Sequence, residues 1–524
     1  MDSVFQRLNN TLSSAGEQCL YYLLRKPLVK CALLEERNRI IEFFGNNEKQ
    51  RMDVQLLLAK LGKIENVDIT NYFLNDLEDS SYKGTRYILL ALGFLLSPLL
   101  LLFDLSLGML AVLGFFITNM TVFNKKRYEI ESHLASFNYI VDLINCADKI
   151  AGLQIKEIST YCKSLRNSLK NLKGIVSRSF LVLYRSEDPI LEYIKVVLLG
   201  ELIAYESMFK LILKYKNNLL EIFNTVGLID SLISIASYRK SLQYYSTPVL
   251  RNTNMLNKPC LNTEPGYPKA GYPGSISSAG YAGSHGLIGP TGSTGSTCPA
   301  GSPVPRPWLS FKDIYHPLLQ DPVANSLSID KHILVTGSNA SGKSTFLKTI
   351  AINAIFAQTI HTCLARKYAS YFFMIFTSMA IKDNLLSGES YYIVEIKSLK
   401  RIIDSINPTI PCLCIIDEVL RGTNTVERIA ASSELLKFLS RSNCLIIAAT
   451  HDLELTSILK NHYNNYHFQE YITDDDIVFD YKLYPGKAGT RNAIKLLKIM
   501  GYEAAIVESA EARAKYFMEK GRWE

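Results

Sequence analysis

At 524 residues the chain is too long for one compact core, and at roughly 100 to 200 residues per domain it predicts about three units. A hydrophobic share of 48% is ample for packed cores, while a formal net charge of +8 permits an anionic partner, nucleic acid or lipid, without requiring one. The ten cysteines show no repeated Cys-x-x-Cys and no Cys/His metal spacing, which excludes a legible zinc site or disulfide framework.

Cys412 and Cys414, inside PCLCII, read as small buried thiols, and a reducing cytosol suits this cysteine usage. The start, MDSVFQRLNN, lacks the basic, apolar and small-residue sequence of a secretory signal. Residues 1–85 then carry helical periodicity with charged faces, as in LEERNRIIEFFGNNEKQRMDVQLLLAKLGKI.

Residues 86–123 are almost free of charge, and Asp104 divides them into Tyr87 to Phe103 and Leu105 to Phe123. As α-helices these limbs reach about 25 to 28 Å, close to a hydrocarbon core of about 30 Å. Lys83 and Arg86 precede the block and Lys125, Lys126 and Arg127 follow it, the flanking expected of a transmembrane hairpin with both ends on the cytoplasmic side. The competing reading is a hairpin buried in a soluble core, with Pro98 breaking its first helix.

Residues 124–251 return to a leucine-rich helical pattern. Within them Leu165, Leu169 and Leu172 share one face, with Lys163, Arg166, Lys170 and Lys173 on another and no acid between Ser159 and Ser186. Such a helix suits anionic lipid or a phosphate backbone, and equally a solvated face. Residues 252–306 are rich in Gly, Pro, Ser and Thr, with glycine at nearly every third position from Gly271 to Gly301. The run is short and poor in proline, so a flexible linker is expected over a collagen-like helix.

From residue 307 to 524 strand-like runs alternate with helical patterns: HILVTG, SGKSTFLKTIAINAIFAQ, CLCIIDE, IAASSELLKFLSR and CLIIAATH. That order predicts an α/β unit with a mostly parallel sheet and its chemistry at the strand ends. Gly337 to Ser344, GSNASGKS, fits the GxxxxGK[ST] phosphate loop between a strand and a helix. Its backbone N–H groups, from Gly337, Ser338, Asn339, Ala340, Ser341, Gly342 and on to Thr345, would wrap phosphates at a helix N-terminus. Lys343 would meet the β- and γ-phosphates of ATP, and the Ser344 hydroxyl would hold Mg²⁺. CLCIIDE ends a buried strand in Asp417, suited to the metal through water, and Glu418, suited to orient or deprotonate an attacking water. His451, at the end of CLIIAATH, would sense the γ-phosphate or bind the water.

TGSNASGKSTFLKTI, SGESYYIVE, IIDEVLRGTNTVERIAAS and AATHDLEL stand in the order and spacing of the MutS family ATPase domain, a branch of the ABC-type ATPases, which residues 307 to 512 resemble. The resemblance implies a P-loop ATPase acting as a homodimer with composite sites, Ser390 reaching the partner's nucleotide and Arg421 to Thr425 facing the other protomer. It also implies Tyr481 packing on adenine; Val323 stands where bacterial mismatch-recognition members carry phenylalanine. More weakly, the helices on either side of the hairpin look like the family's core and lever helices. Two departures stand out. No Phe-x-Glu wedge domain is found, and VERIAAS follows RGTNT where repair members carry an Asp-Gly pair. The expectation is therefore a membrane-anchored, MutS-like ATPase that binds DNA through helical levers without mismatch readout. The alternatives are an ABC-like mechanical ATPase acting on a membrane or protein partner, or a low-turnover scaffold dimer.

Overall fold

The computed structural model describes residues 2–64, 84–183, 189–251, 306–338, 340–379, 391–472, 477–488 and 493–523. The glycine-rich linker, Asn339 and Ser390 lie outside them. An all-helical N-terminal region is followed by a mixed α/β region.

The helical region opens with α1 (Asp2–Leu8), α2 (Ser14–Arg25), α3 (Cys31–Asn46) and α4 (Glu48–Leu61). After the hairpin come α7 (Ser159–Leu169), α8 (Lys173–Leu183), α9 (Pro189–Val197), α10 (Gly200–Lys214) and α11 (Lys216–Ser241). Among the described residues, three segments are long and apolar enough to cross a membrane, and α11 is one. Its most apolar window is 83% buried inside the fold, which makes it the central core helix. Gly227 lets α11 lie against α2, because a Cβ there would stand 2.4 Å from the Ala15 carbonyl oxygen. Alongside, the Asp230 carboxylate accepts from the Leu12 and Ser13 N–H groups and the Ser13 hydroxyl, fixing the entry to α2. The predicted basic helix is two helices, α7 and α8. Leu165 and Leu172 are buried, while Arg166 donates to the Ala151 carbonyl and so is spent on the fold.

The other two candidate spans are Thr85–Leu102 and Leu105–Arg127, only 17% and 11% buried. The first limb is not a single α-helix. It is α5 (Gly84–Leu96) followed by a 3-10 stretch, Ser97–Leu102, with Pro98 at its start. At the greater rise of a 3-10 helix the two pieces together span about 32 Å, longer than an all-α reading allows. Asp104 caps the second limb by accepting from the Ser106 and Leu107 N–H groups. That limb, α6 (Leu105–Gly152), does not stop at Phe123 but continues unbroken for 48 residues, joining the exposed apolar hairpin to the helical core.

The α/β region holds a six-stranded sheet of order β10-β9-β4-β8-β7-β6. Its strands are β4 (Ile333–Thr336), β6 (Met374–Ser378), β7 (Cys412–Asp417), β8 (Cys444–Ala449), β9 (Asn464–Ile472) and β10 (Ile477–Pro485). All neighbours are parallel except β9 and β10. The helices of this region are α12 (Lys343–Thr359), α13 (Tyr391–Asp404), α14 (Thr425–Ser440), the short α15 (Leu453–Ile458), α16 (Ala493–Ile499) and α17 (Ala504–Lys520). Strands β7 and β8 are buried almost throughout, as their continuous apolar runs require.

A second sheet, of order β1-β5-β2-β3, was not anticipated. Here β2 (Leu309–Ile314) pairs antiparallel with β3 (Asn325–Ile329) and β5 (Lys367–Tyr371). Strand β1 (Val249–Arg251), grouped by sequence with the helical region, pairs in parallel with β5 and so belongs to this sheet. The two regions share buried surface. Ile352, Phe356 and Ile360 of α12 and its end pack in the core of the helical region. Arg37 donates to the Thr359 carbonyl, and Arg239 to the His361 carbonyl and the Thr362 hydroxyl. These cations sit where the carbonyls at the C-terminus of α12 need donors.

Candidate functional site

The C-terminal ends of β4, β7 and β8 meet at one edge of the large sheet. Glu418 N–H donates to the Ala449 carbonyl and Thr450 N–H to the Val335 carbonyl, so the three strand ends are tied together. Beyond β4 the loop turns on Gly337 (φ 146°) and Gly342 (φ 104°). A Cβ at Gly337 would fall 2.8 Å from Ser341 Oγ and 2.9 Å from the Phe468 carbonyl oxygen, which restricts the position to glycine. Ser341 is buried beneath the loop and donates to the Ser338 carbonyl. Ser344 and Thr345 stand exposed in the first turn of α12.

Lys343 is buried, its Nζ 2.8 Å from the Gly337 carbonyl oxygen and 2.7 Å from that of Ser338. Burial lowers its pKa to about 8, although Glu418, Asp417 and Glu470 act in the opposite direction. The Ser338 hydroxyl in turn donates to the largely buried Glu470.

At the end of β7, Asp417 Oδ1 is buried with no hydrogen-bond partner among the described residues. The next residue, Glu418, holds φ at +59° and presents its carboxylate to His451 and Arg421. Its Oε1 lies 2.8 Å from His451 Nε2 and its Oε2 3.0 Å from Arg421 Nε. The hydrogen bond to His451 is the largest influence, and with the charges of His451, Arg421 and Lys343 it holds the Glu418 carboxyl below the usual range despite burial.

Gly337's neighbours Ser338, Ala340, Gly342, Lys343, Ser344 and Thr345, together with Glu418 and Tyr481, line one cavity of about 530 Å³. Tyr481 packs its ring beside Gly342, where an added Cβ would stand 3.2 Å from the ring. Val323 also lines the cavity. Asn339 and Ser390, expected at this site, lie outside the described residues.

Several contributors escaped the sequence reading. His316, Leu319 and Asp321, from the turn between β2 and β3, also line the cavity. Burial, with Lys348 nearby, lowers the His316 pKa. Asn325 fixes the irregular part of β10 by donating to the Tyr481 carbonyl and accepting from Leu483 N–H. Glu395 of α13, buried to 1% exposure, accepts from the N–H groups of Leu420 and Arg421 and so holds the turn after Glu418, where Leu420 also has φ +59°. Burial raises the Glu395 pKa.

Asn424 caps α14 by accepting from Glu427 N–H, placing the RGTNT segment at a helix start. One turn on, Arg428 makes a two-pronged contact with Asp452, 2.9 Å from Nε and 2.6 Å from Nη2. This strut joins the segment after RGTNT to the residue following His451. The only signal available in sequence was an Arg and an Asp in two separate motifs.

The family profile described as MutS domain V matches residues 333–518. Among curated proteins, the DNA mismatch repair protein MutS of Natronomonas pharaonis is 30% identical over 182 residues, 34% of this chain and 21% of the relative. That of Thermus thermophilus is 31% identical over 182 residues, covering 34% and 22%. That of Thermotoga maritima is 29% identical over 213 residues, covering 38% and 26%. The chain thus spans about a fifth to a quarter of the length of these relatives, and the matched stretch contains the phosphate-loop-like turn, Asp417, Glu418 and His451. The C-terminal part of the chain, residues 333–518, is a MutS-family ATPase-like domain.

Proposed function

We propose that the chain is a membrane-anchored ATPase that binds and hydrolyses Mg²⁺-ATP at composite sites of a homodimer. The observation that carries this reading is the convergence of Lys343, Asp417 and the His451–Glu418 pair on one sheet edge beside a cavity of about 530 Å³. The phosphates of ATP would lie over the N-terminus of α12, where N–H groups and the helix dipole favour negative charge. Lys343 would exchange the carbonyls of Gly337 and Ser338 for phosphate oxygens. The adenine would lie in the wall formed by Tyr481, Val323 and Leu319.

The residues present suit Mg²⁺. The unpartnered Asp417 Oδ1 is a buried acceptor in search of a ligand, and the exposed Ser344 hydroxyl stands at the adjoining helix start. When bound, Mg²⁺ would neutralise charge on the β- and γ-phosphate oxygens. Glu418, kept ionised by His451, accepts a hydrogen bond from the attacking water and orients it toward the γ-phosphate. His451 holds that carboxylate in place. Ser390 and the RGTNT segment are proposed to complete the site of the partner protomer.

DNA held by the helical levers is the proposed ligand on the strength of the relatives, which are mismatch repair proteins. A second reading, work on a membrane or protein partner without DNA, is favoured by the exposed hairpin and by the loss of Arg166 from the basic face to an internal contact. Binding of the detergent-solubilised protein to paired, mispaired and branched DNA across salt separates the two. A steep salt slope without preference means phosphate contact only, and no binding promotes the second reading. For the site itself, Lys343→Ala should abolish ATP binding; retained affinity would count against the loop assignment.

A further inference from the structure

The uncovered part of the hairpin is too short to match a bilayer. Between Leu92 and Thr118 only Ser97 and Gly108 are buried, and Gly108 lies where the limbs meet, against Leu101. Below that stretch the limbs are partly covered by protein: Tyr87, Ala91, Asn119 and Phe123 are buried. Counting α-helical and 3-10 rise, the uncovered part is about 20 Å long, some 10 Å less than a hydrocarbon core of about 30 Å.

Helix α9 sits at the boundary. Its C-terminus is tied to the second limb by the Asn119 side-chain amide, fully buried, which donates to the Val197 carbonyl at 2.8 Å. Leu199, fully buried with φ +51°, tucks the following turn into the core. Three apolar side chains of α9 are exposed: Ile190, Tyr193 and Ile194, at 71%, 62% and 49%. Their i, i+3, i+4 spacing places them on one face of the helix. A short helix of this kind, with a tyrosine among aliphatic residues, is suited to the boundary between headgroups and acyl chains.

Resting on the reading of the hairpin as membrane-embedded, the geometry points to α9 as a second membrane-contacting element, an interfacial helix whose Ile190, Tyr193 and Ile194 seat in the cytoplasmic leaflet beside the hairpin base. An interfacial helix buries its apolar face by about 5 to 10 Å, which is the length the uncovered hairpin lacks. The bilayer is the occupant because the helix that carries these exposed side chains is fixed through Asn119 to the base of the exposed apolar hairpin. Lys125, exposed six residues beyond Asn119 on the same helix, places positive charge about 9 Å further from the hairpin tip, on the side where anionic headgroups would favour it. The anchor is then a wedge with two depths rather than a hairpin alone, and α10, which follows α9 directly, carries the membrane position into the helical core.

The test uses the full chain reconstituted in phosphatidylcholine–phosphatidylglycerol vesicles whose lipids are brominated either near the carbonyl or near the chain end. Tyr193→Trp reports on α9 and Leu110→Trp on the hairpin, each read against the unmodified protein to subtract Trp308 and Trp523. Tyr193→Trp should shift its emission to the blue and lose about half its added signal to shallow bromines, less to deep ones, as an interfacial depth requires. Adding Ile190→Ser and Ile194→Ser should abolish that quenching. Leu110→Trp quenched by deep bromines with Tyr193→Trp unquenched would overturn the inference and leave the hairpin reading standing. Tyr193→Trp quenched as deeply as Leu110→Trp would overturn the interfacial placement. If neither is quenched, the hairpin reading falls and the inference falls with it.

Discussion

Removing the Arg428 guanidinium is the perturbation that bears most directly on how the site is held. Arg428 and Asp452 are linked by two short hydrogen bonds and retain only 22% and 12% side-chain exposure. Arg428→Ala therefore leaves a partly desolvated carboxylate without its cation, next to the histidine that holds Glu418. Breaking a fully buried ion pair costs about 3 to 5 kcal/mol, so with this residual exposure a loss of about 2 to 3 kcal/mol is expected. Asp452→Ala should cost a similar amount, and the double variant should cost clearly less than the sum, giving a coupling of about 1.5 to 2 kcal/mol. Urea unfolding of the solubilised chain, followed through Trp308, which packs on Tyr371 in the α/β region, measures all four corners of the cycle. Additivity to within about 0.5 kcal/mol would refute the strut. So would a loss confined to Arg428→Ala, because a shared contact must appear from both sides.

Two further outcomes follow from the buried charges. Burial lowers the Lys343 pKa to about 8 from 10.5, so between those values this group holds more protons in the unfolded chain and its own contribution to stability rises with pH. Lys343→Met should remove that rise, and in the unmodified protein ATP binding near pH 8 should take up a proton as phosphate restores the ammonium; buffer-independent binding enthalpy would contradict this. Glu395→Gln replaces one of two acceptors facing Leu420 and Arg421 N–H with a donor, so it should cost about 1 to 3 kcal/mol and slow turnover, whereas unchanged stability would mean the turn after Glu418 is held by other contacts.

Sequence reading registers what is local. The turn from Gly337 to Ser344, the acidic strand end at Asp417 and Glu418, and His451 are short motifs whose spacing follows from one strand, one turn and one helix, and the structure brings them to a single edge. What it missed is long-range. Strand β1 pairs with β5 across more than a hundred residues, and Arg428 meets Asp452 across an intervening helix and strand. Neither leaves a periodicity to read. The cavity wall from His316 to Asp321 is a turn with no motif of its own. Hydropathy was informative but ambiguous. Helix α11 and the hairpin limbs have comparable apolar windows, and only packing separates a helix 83% buried from limbs 17% and 11% buried. The 3-10 stretch after Leu96 follows from Pro98, but its effect on the length of the limb becomes apparent only once the helix type is known.

In the proposed mechanism Glu418, held by His451 at the end of β7, drives hydrolysis of ATP bound at the loop of Lys343. Mg²⁺-dependent phosphate release under single-turnover conditions tests it by comparing the unmodified chain with Glu418→Gln. The account predicts that the variant binds ATP with undiminished affinity, releases phosphate at least about a hundredfold more slowly and accumulates as a nucleotide-bound dimer. Phosphate release at the unmodified rate, with ATP bound normally, would contradict it.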